Sequence, residues 1–249
     1  MFLSTLIVTF GMFSAVPVPF IKWDHQNMQY VFCFLPFIGL LIGMLEVIWI
    51  YGVSYFHINT MFAASILVAM PVLITGGIHL DGFCDVSDAL NSHGDRERML
   101  EIMKDSHCGA FAVICLLLYF LLFFGAACQI ESIAFTGCFV VSRILAGIGV
   151  TYLPNARGRG LLLNFSSEMD KVKIQKILWG TLAIWLAVWI YFFPMESLCM
   201  SVVCLMISAY FYRMCRQKFG GITGDLAGWY ISVLELSTVL ALAFQDVIF

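Results

Sequence analysis

Three carboxylates in the stretch GGIHLDGFCDVSDAL, residues 76–90, have the spacing of a single helical face: Asp81, Asp85 and Asp88 stand at i, i+4 and i+7. At about 100° per residue, Asp85 and Asp88 lie within about 40° of Asp81. Like charges stacked in this way repel, so the pattern asks for a cation. A hard cation such as Mg²⁺ would serve, taking oxygen from one or two carboxylates and completing its octahedron with water and substrate phosphates. A solvated acidic helix face is the plainer alternative. Against it stands the position of the acids at the end of an apolar run, among Gly76, Gly77 and Gly82, which permit close backbone approach.

The next stretch supplies the opposite charge. In GDRERMLEIMKDSHCGAF, residues 94–111, an amphipathic helix is predicted from about Asp95 to Lys104, with Asp95 as N-cap, Arg98 at N3 and Met99, Ile102 and Met103 on the apolar face. Arg96, Arg98 and Lys104 could neutralise an anionic substrate, and Lys104, Asp105 and Ser106 lead directly towards Gly109. Each basic residue could equally anchor the chain at a membrane surface. His79 and His107 could serve as bases or ligands, or rest as neutral hydrogen-bonded side chains.

Two other places carry charge where it is costly or well aimed. In GGITGDLAGWYISVLELS, residues 220–237, a glycine-rich turn brings Thr223 and Asp225 to the start of a helix, an arrangement that suits phosphate, with the carboxylate suited to metal. Arg143 lies inside an apolar run, where an arginine near a span centre costs about 2.5–3.5 kcal/mol. It should face the interior, with Glu46 or Glu235 as its partner.

Composition fixes the elements that must hold these residues. Of 249 residues, 61% are hydrophobic and 12% charged, with a mean hydropathy of +0.94. That is more apolar surface than an aqueous domain can bury, so lipid is the solvent. Crossing a hydrocarbon layer of about 30 Å takes roughly 17 to 25 residues. Seven such runs occur, at about 31–56, 60–78, 109–128, 132–152, 177–193, 197–212 and 226–245. They are continuous and not alternating, which selects helices over a barrel. The expected fold is an all-α polytopic membrane protein, one transmembrane domain over residues 1–249. Residues 1–16 are apolar but short and end in Pro17-Val18-Pro19, which predicts an interfacial or re-entrant helix; a full eighth span is the alternative. The lack of a basic n-region argues against a cleaved signal peptide.

Lys and Arg set the orientation. Lys22 precedes the first span; Arg96, Arg98 and Lys104 follow the second; Arg157 to Lys176 follow the fourth; Arg213, Arg216 and Lys218 follow the sixth. The intervening turns at His57–Asn59, Gln129–Glu131 and Pro194–Glu196 have neither Lys nor Arg. This predicts an inner-membrane protein with its amino terminus inside, cytoplasmic loops near 79–108, 153–176 and 213–225, and a site facing the cytoplasm. Gly39/Gly43 and Gly224/Gly228 have the four-residue spacing of close helix packing. Nine cysteines without a C-x-x-C offer no zinc or disulfide framework. The lipid bilayer is the expected macromolecular surround, and no nucleic-acid partner is expected.

Seven motifs in order over nearly the whole chain resemble the cobalamin synthase family: VPVP at 16–19, LPFIGLLIG at 35–43, GGIHLDGFCDVSDAL at 76–90, DRERMLEIMKDSHCGAF at 95–111, SR at 142–143, ARGRGL at 156–161 and GGITGDLAG at 220–228. The resemblance implies a Mg²⁺-dependent transfer that joins adenosylcobinamide-GDP to α-ribazole or its 5′-phosphate and releases GMP. It places the family's central aspartate on Asp81, the two following acids on Asp85 and Asp88, and the later one on Asp225. On that basis Asp81, Lys104 and Arg143 are candidate catalytic residues, and Asp81, Asp85, Asp88 and Asp225 candidate metal ligands. His79, Arg98, Asp105, Ser106, Arg157, Arg159, Thr223 and Glu235 are candidate substrate-binding residues. Other corrinoid-assembly enzymes are conceivable partners. Phe83, Cys84, Val86 and Ala89 depart from the family's usual Leu, Ala, Thr and Gly, which touches packing and substrate fit more than charge.

Two other readings compete. A CDP-alcohol phosphotransferase also gathers aspartates at a span's end, but it expects an Ala-Arg pair after the Asp-Gly, where Asp81-Gly82 is followed by Phe83 and Cys84. A secondary transporter would hold its acids near the bilayer midplane.

Overall fold

The structure is a computed structural model and describes residues 2–21, 23, 25–157 and 169–248. Lys22 and Arg159 lie outside the described residues. The chain folds into α1 (Phe2–Phe13), the single turn α2 (His25–Met28), α3 (Val31–Phe56), α4 (Thr60–Thr75), α5 (Ile78–Asn91), α6 (Arg96–Ile102) and α7 (Ala110–Gln129). A 3₁₀ turn, Ile133–Gly137, leads into α8 (Cys138–Tyr152). Then follow α9 (Lys171–Phe192), α10 (Pro194–Met214) with a π-helical turn over Cys215–Phe219, and α11 (Gly224–Ile248). No strand forms among the described residues; Asn155 and Ile222 make one isolated parallel bridge.

Six helical segments are long and apolar enough to cross a membrane: α3, α7, α8 with its 3₁₀ turn, α9, α10 with its π turn, and α11. The bent pair α4 and α5 makes a seventh if counted as one span. This matches the all-α polytopic fold: six of the seven expected runs are single span-length helices, and the run at 60–78 is α4 up to its bend. The 12 residues of α1 reach about 18 Å, short of the hydrocarbon thickness. This helix packs along α3, where Thr9 Oγ1 donates to Val31 O at 3.3 Å and the Phe13 ring lies 6.1 Å from that of Phe32.

Two helices extend further into the expected polar loops than the sequence suggests. Asp170 accepts the backbone N–H of Lys173 at 3.2 Å and so starts α9 at Lys171. Lysine stems tolerate a helix end near lipid because the ammonium can reach water. At the next loop, α10 runs on through its π turn, leaving four residues, Gly220 to Thr223, before α11.

The 3₁₀ turn and α8 form the axis of the bundle, with 89% of that span buried. α3 reaches it through glycine. A Cβ on Gly39 would fall 2.1 Å from Phe139 O, and one on Gly43 3.0 Å from Thr136 O, so this pair packs as its spacing predicts. The second pair does not act together: Gly228 lies against His79, but Gly224 faces open space. The glycine that completes this second crossing is Gly82 of α5, whose Cβ would stand 2.6 Å from Asp225 O.

One turn sets the site. Gly76 and Gly77 have φ of +63° and +78°, a left-handed pair that L side chains adopt poorly. They turn α5 by 94° from α4. α5 therefore leaves the line of α4 and packs against the starts of α7 and α11, carrying the three aspartates with it.

Candidate active site

The crossing of α5 over α11 is close because Gly82 has no side chain, and it brings Asp81 beside a cavity of about 280 Å³. His79, Asp81, Asn155, Arg157, Thr223 and Asp225 supply its polar lining, and Phe13, Phe32, Leu35, Ile78, Val150 and Ile231 part of its apolar wall. Thr223 Oγ1 accepts the backbone N–H of Leu226 at 3.2 Å and caps α11. The first residues of α11, Gly224 and Asp225, line the cavity. A long helix thus opens onto it with its first-turn amides and the positive end of its dipole, a setting for anions.

The segment that carries Arg157 is pinned by backbone pairing. Ala156 N donates to Ile222 O at 3.0 Å and Ile222 N to Pro154 O at 2.8 Å. Gly221 allows it, since a Cβ there would stand 2.2 Å from Pro154 O. Arg96 braces the same segment from α6 by donating to Ala156 O at 3.2 Å. Arg157 itself donates to Met103 O at 2.9 Å and pairs with Asp225 Oδ2 at 2.8 Å. Arg157 Nε is buried with no hydrogen-bond partner, and Asp225 Oδ2, also buried, has the ion pair with Arg157 as its contact. His79 Nε2 is likewise buried and unpartnered at the cavity wall.

The three aspartates of α5 do different things. Asp81 is exposed at the cavity rim. Asp85 is half-buried in the field of Asp225, Asp81 and Asp88, with Arg157 as the opposing cation. Asp88 turns to α7: its Oδ2 accepts the N–H of Gly109 at 2.7 Å and its Oδ1 that of Ala112 at 2.8 Å. Both oxygens of this acid cap a helix.

Among the described residues, no three His, Cys, Asp or Glu side chains converge tightly enough to hold a metal by themselves. The donors nonetheless fit Mg²⁺. Two carboxylates, Asp81 and Asp225, line one cavity, and Oδ2 of Asp225 is held there by the Arg157 ion pair. Mg²⁺ commonly takes one or two carboxylates and leaves its other positions to water and phosphate.

Other expected residues lie apart from the cavity. Arg143 is fully buried and paired with Glu235; it also donates to Phe139 O at 2.8 Å, and Ser142 Oγ donates to the same Glu235 oxygen at 3.1 Å. Of its two candidate partners, Glu235 makes the pair, and both oxygens of Glu46 are buried with no hydrogen bond. Arg98 pairs with Glu101 at 2.7 Å on the exposed face of α6. Its helix starts as expected, with Asp95 accepting the Arg98 N–H at 2.9 Å. Lys104, Asp105 and Ser106 are exposed on a loop anchored at Met103 by Arg157 and at Gly109 by Asp88. There the backbone N–H of His107, and then its ring, hold the Asp105 carboxyl below its ordinary value. Asn155 was not singled out by spacing; it precedes the ARGRGL stretch by one residue, and that adjacency was the available signal.

A sequence model of the cobalamin-5-phosphate synthase family matches residues 5–243. The chain belongs to this family. Among curated relatives of this family member, the adenosylcobinamide-GDP ribazoletransferase of Lachnoclostridium phytofermentans is 35% identical over 247 residues, covering 98% of this chain and 95% of its own. That of Clostridium perfringens strain SM101 is 29% identical over 256 residues, covering 97% and 98%. That of Pseudomonas paraeruginosa is 32% identical over 237 residues, covering 92% and 91%. No solved structure matches. Membership favours the transferase over the CDP-alcohol phosphotransferase and the transporter.

Proposed function

We propose that this membrane protein is an adenosylcobinamide-GDP ribazoletransferase that works at the end of the bundle where α5 crosses α11. The observation that carries the reading is the cavity in which Asp81, Asp225, Arg157 and the amino-terminal end of α11 meet. A pyrophosphate needs its charge neutralised and its attacking alcohol deprotonated, and these groups can do both.

The hydroxyl oxygen of α-ribazole, or of its 5′-phosphate, attacks the corrinoid-side phosphorus of the donor. A new P–O bond forms as the P–O–P bridge breaks, GMP leaves with the bonding electrons, and the hydroxyl proton passes to Asp81. Arg157, fixed by Asp225 and Met103 O, bears on the phosphate charge. The α11 amides bind the departing nucleotide's phosphate. Mg²⁺, which Asp225 and Asp85 could hold while Asp81 takes the proton, would screen the pyrophosphate and stabilise the leaving GMP. Lys104, on its anchored loop, is the reserve cation.

The same end of the bundle carries Arg96, Arg157 and the basic π turn, while the far turns lack Lys and Arg. That asymmetry supports an inner-membrane location with the site on the cytoplasmic face. Association with other corrinoid-assembly enzymes there is part of this proposal.

The test is to incubate the detergent-solubilised protein with adenosylcobinamide-GDP, α-ribazole 5′-phosphate and Mg²⁺, and to follow GMP release beside Asp81→Asn. GMP from the wild type and none from the variant is the expected result. Equal release by both would remove Asp81 from the mechanism.

A further inference from the structure

Asp81 borders two hollows. Beyond the enclosed cavity of about 280 Å³ it lines a wider, more open one of about 600 Å³, walled by Val72 of α4, Leu80 and Cys84 of α5, and Leu116 and Phe120 of α7. Ile78, one turn before Asp81, is also shared, so a single turn of α5 forms the partition. The two sides differ in chemistry. The enclosed side has Arg157, Asn155, Asp225 and the start of α11. The open side has Asp81 and Cys84 in an otherwise apolar wall, with the Gly76-Gly77 bend at its edge. Leu73 on α4 and Leu117 on α7, next in sequence to its wall residues Val72 and Leu116, are exposed apolar side chains of the kind lipid covers.

We infer that this groove between α4 and α7 is the subsite for the corrinoid half of the donor, and that the enclosed cavity takes the guanosine diphosphate half. The inference rests on the transferase reading. A donor with two dissimilar halves joined by a pyrophosphate must place its reacting phosphorus at Asp81 and Arg157. The enclosed cavity lies at the lower end of small-ligand volumes and cannot hold both halves. Anionic phosphates suit the side with the cation and helix terminus. A bulky amphipathic ring suits an apolar groove that opens sideways, since it can approach from the membrane without crossing a polar surface. The pyrophosphate then bridges the Ile78–Asp81 turn, with its two halves on opposite sides.

The groove can be narrowed from either wall, by Leu116→Trp on α7 or Val72→Phe on α4, with Val113→Trp, exposed on α7 outside the groove, as comparator. The KM for adenosylcobinamide-GDP should rise about tenfold in both groove variants, with the KM for α-ribazole 5′-phosphate and kcat little changed. Val113→Trp should match the wild type. In the wild type, free adenosylcobinamide should slow alkylation of Cys84 by N-ethylmaleimide, read by peptide mass, and GDP should not. An unchanged donor KM in the folded variants, as expected if a lipid acyl chain fills the groove, would overturn the assignment. So would a rise in acceptor KM alone, or protection of Cys84 by GDP and not by the corrinoid. Absence of GMP release from the wild type would instead count against the transferase reading itself.

Discussion

Asp88 and Gly109 are joined by a 2.7 Å hydrogen bond from the glycine N–H to the carboxylate, and the second oxygen of Asp88 takes the N–H of Ala112. The glycine is required here, because a Cβ on residue 109 would stand 2.6 Å from that carboxylate. One acid of the triplet is therefore a helix cap, while Asp81, two turns earlier, faces the cavity. The same bond anchors the loop that carries Lys104 to the helix that carries Asp81.

Stability and turnover should separate along that division. Asp88→Ala is expected to destabilise the protein by about 1–2 kcal/mol, through loss of the cap to α7. Asp81→Asn, exposed at the rim, should unfold at the wild-type temperature while GMP release is lost. Thermal unfolding in detergent beside turnover checks both, and a wild-type melting curve for Asp88→Ala would refute the capping role.

Arg157 links three segments through one guanidinium. Arg157→Lys keeps the charge but cannot hold Asp225 and Met103 O together, and kcat/KM should fall by about 10²-fold. Near-wild-type turnover in the lysine variant would mean that charge alone suffices.

The buried Arg143–Glu235 pair predicts strong non-additivity. Arg143→Met alone leaves a buried carboxylate and should cost about 3–5 kcal/mol. Arg143→Met combined with Glu235→Leu should recover most of that loss and retain turnover, since neither residue lines the cavity. A double variant that folds but releases no GMP would give the pair a direct part in the chemistry.

Gly82→Ala should push α5 and α11 apart at Asp225 O, costing about 1–3 kcal/mol and lowering turnover as Asp81 and Asp225 separate. Gly180→Ala, where nothing lies within 4 Å of a new Cβ, should leave both unchanged. Equal effects at the two positions would argue against a tight crossing.

Chelation supplies a fifth test. EDTA should abolish GMP release and Mg²⁺ restore it, with little shift in the unfolding temperature, because no three described ligand side chains form a preorganised metal cage. A large loss of stability on chelation would point to a structural ion instead.

The sequence by itself determined the membrane helices, the acidic face of α5, the cap at Asp95 and an interior partner for Arg143. These depend on hydropathy, helical period and the cost of an unpaired charge in lipid, all of which are local or general. It could not choose Glu235 over Glu46 or turn Asp88 away from Asp81, because each depends on which helix lies across the way. Nor could it pair Pro154 and Ala156 with Ile222, which sets Arg157 against Asp225. Those outcomes were decided by the crossings at Gly82 and Gly39, by the close approach at Gly221 and by the left-handed turn at Gly76 and Gly77. Small residues at these points let backbones approach to contact distance, and that approach fixes which distant side chains share a cavity.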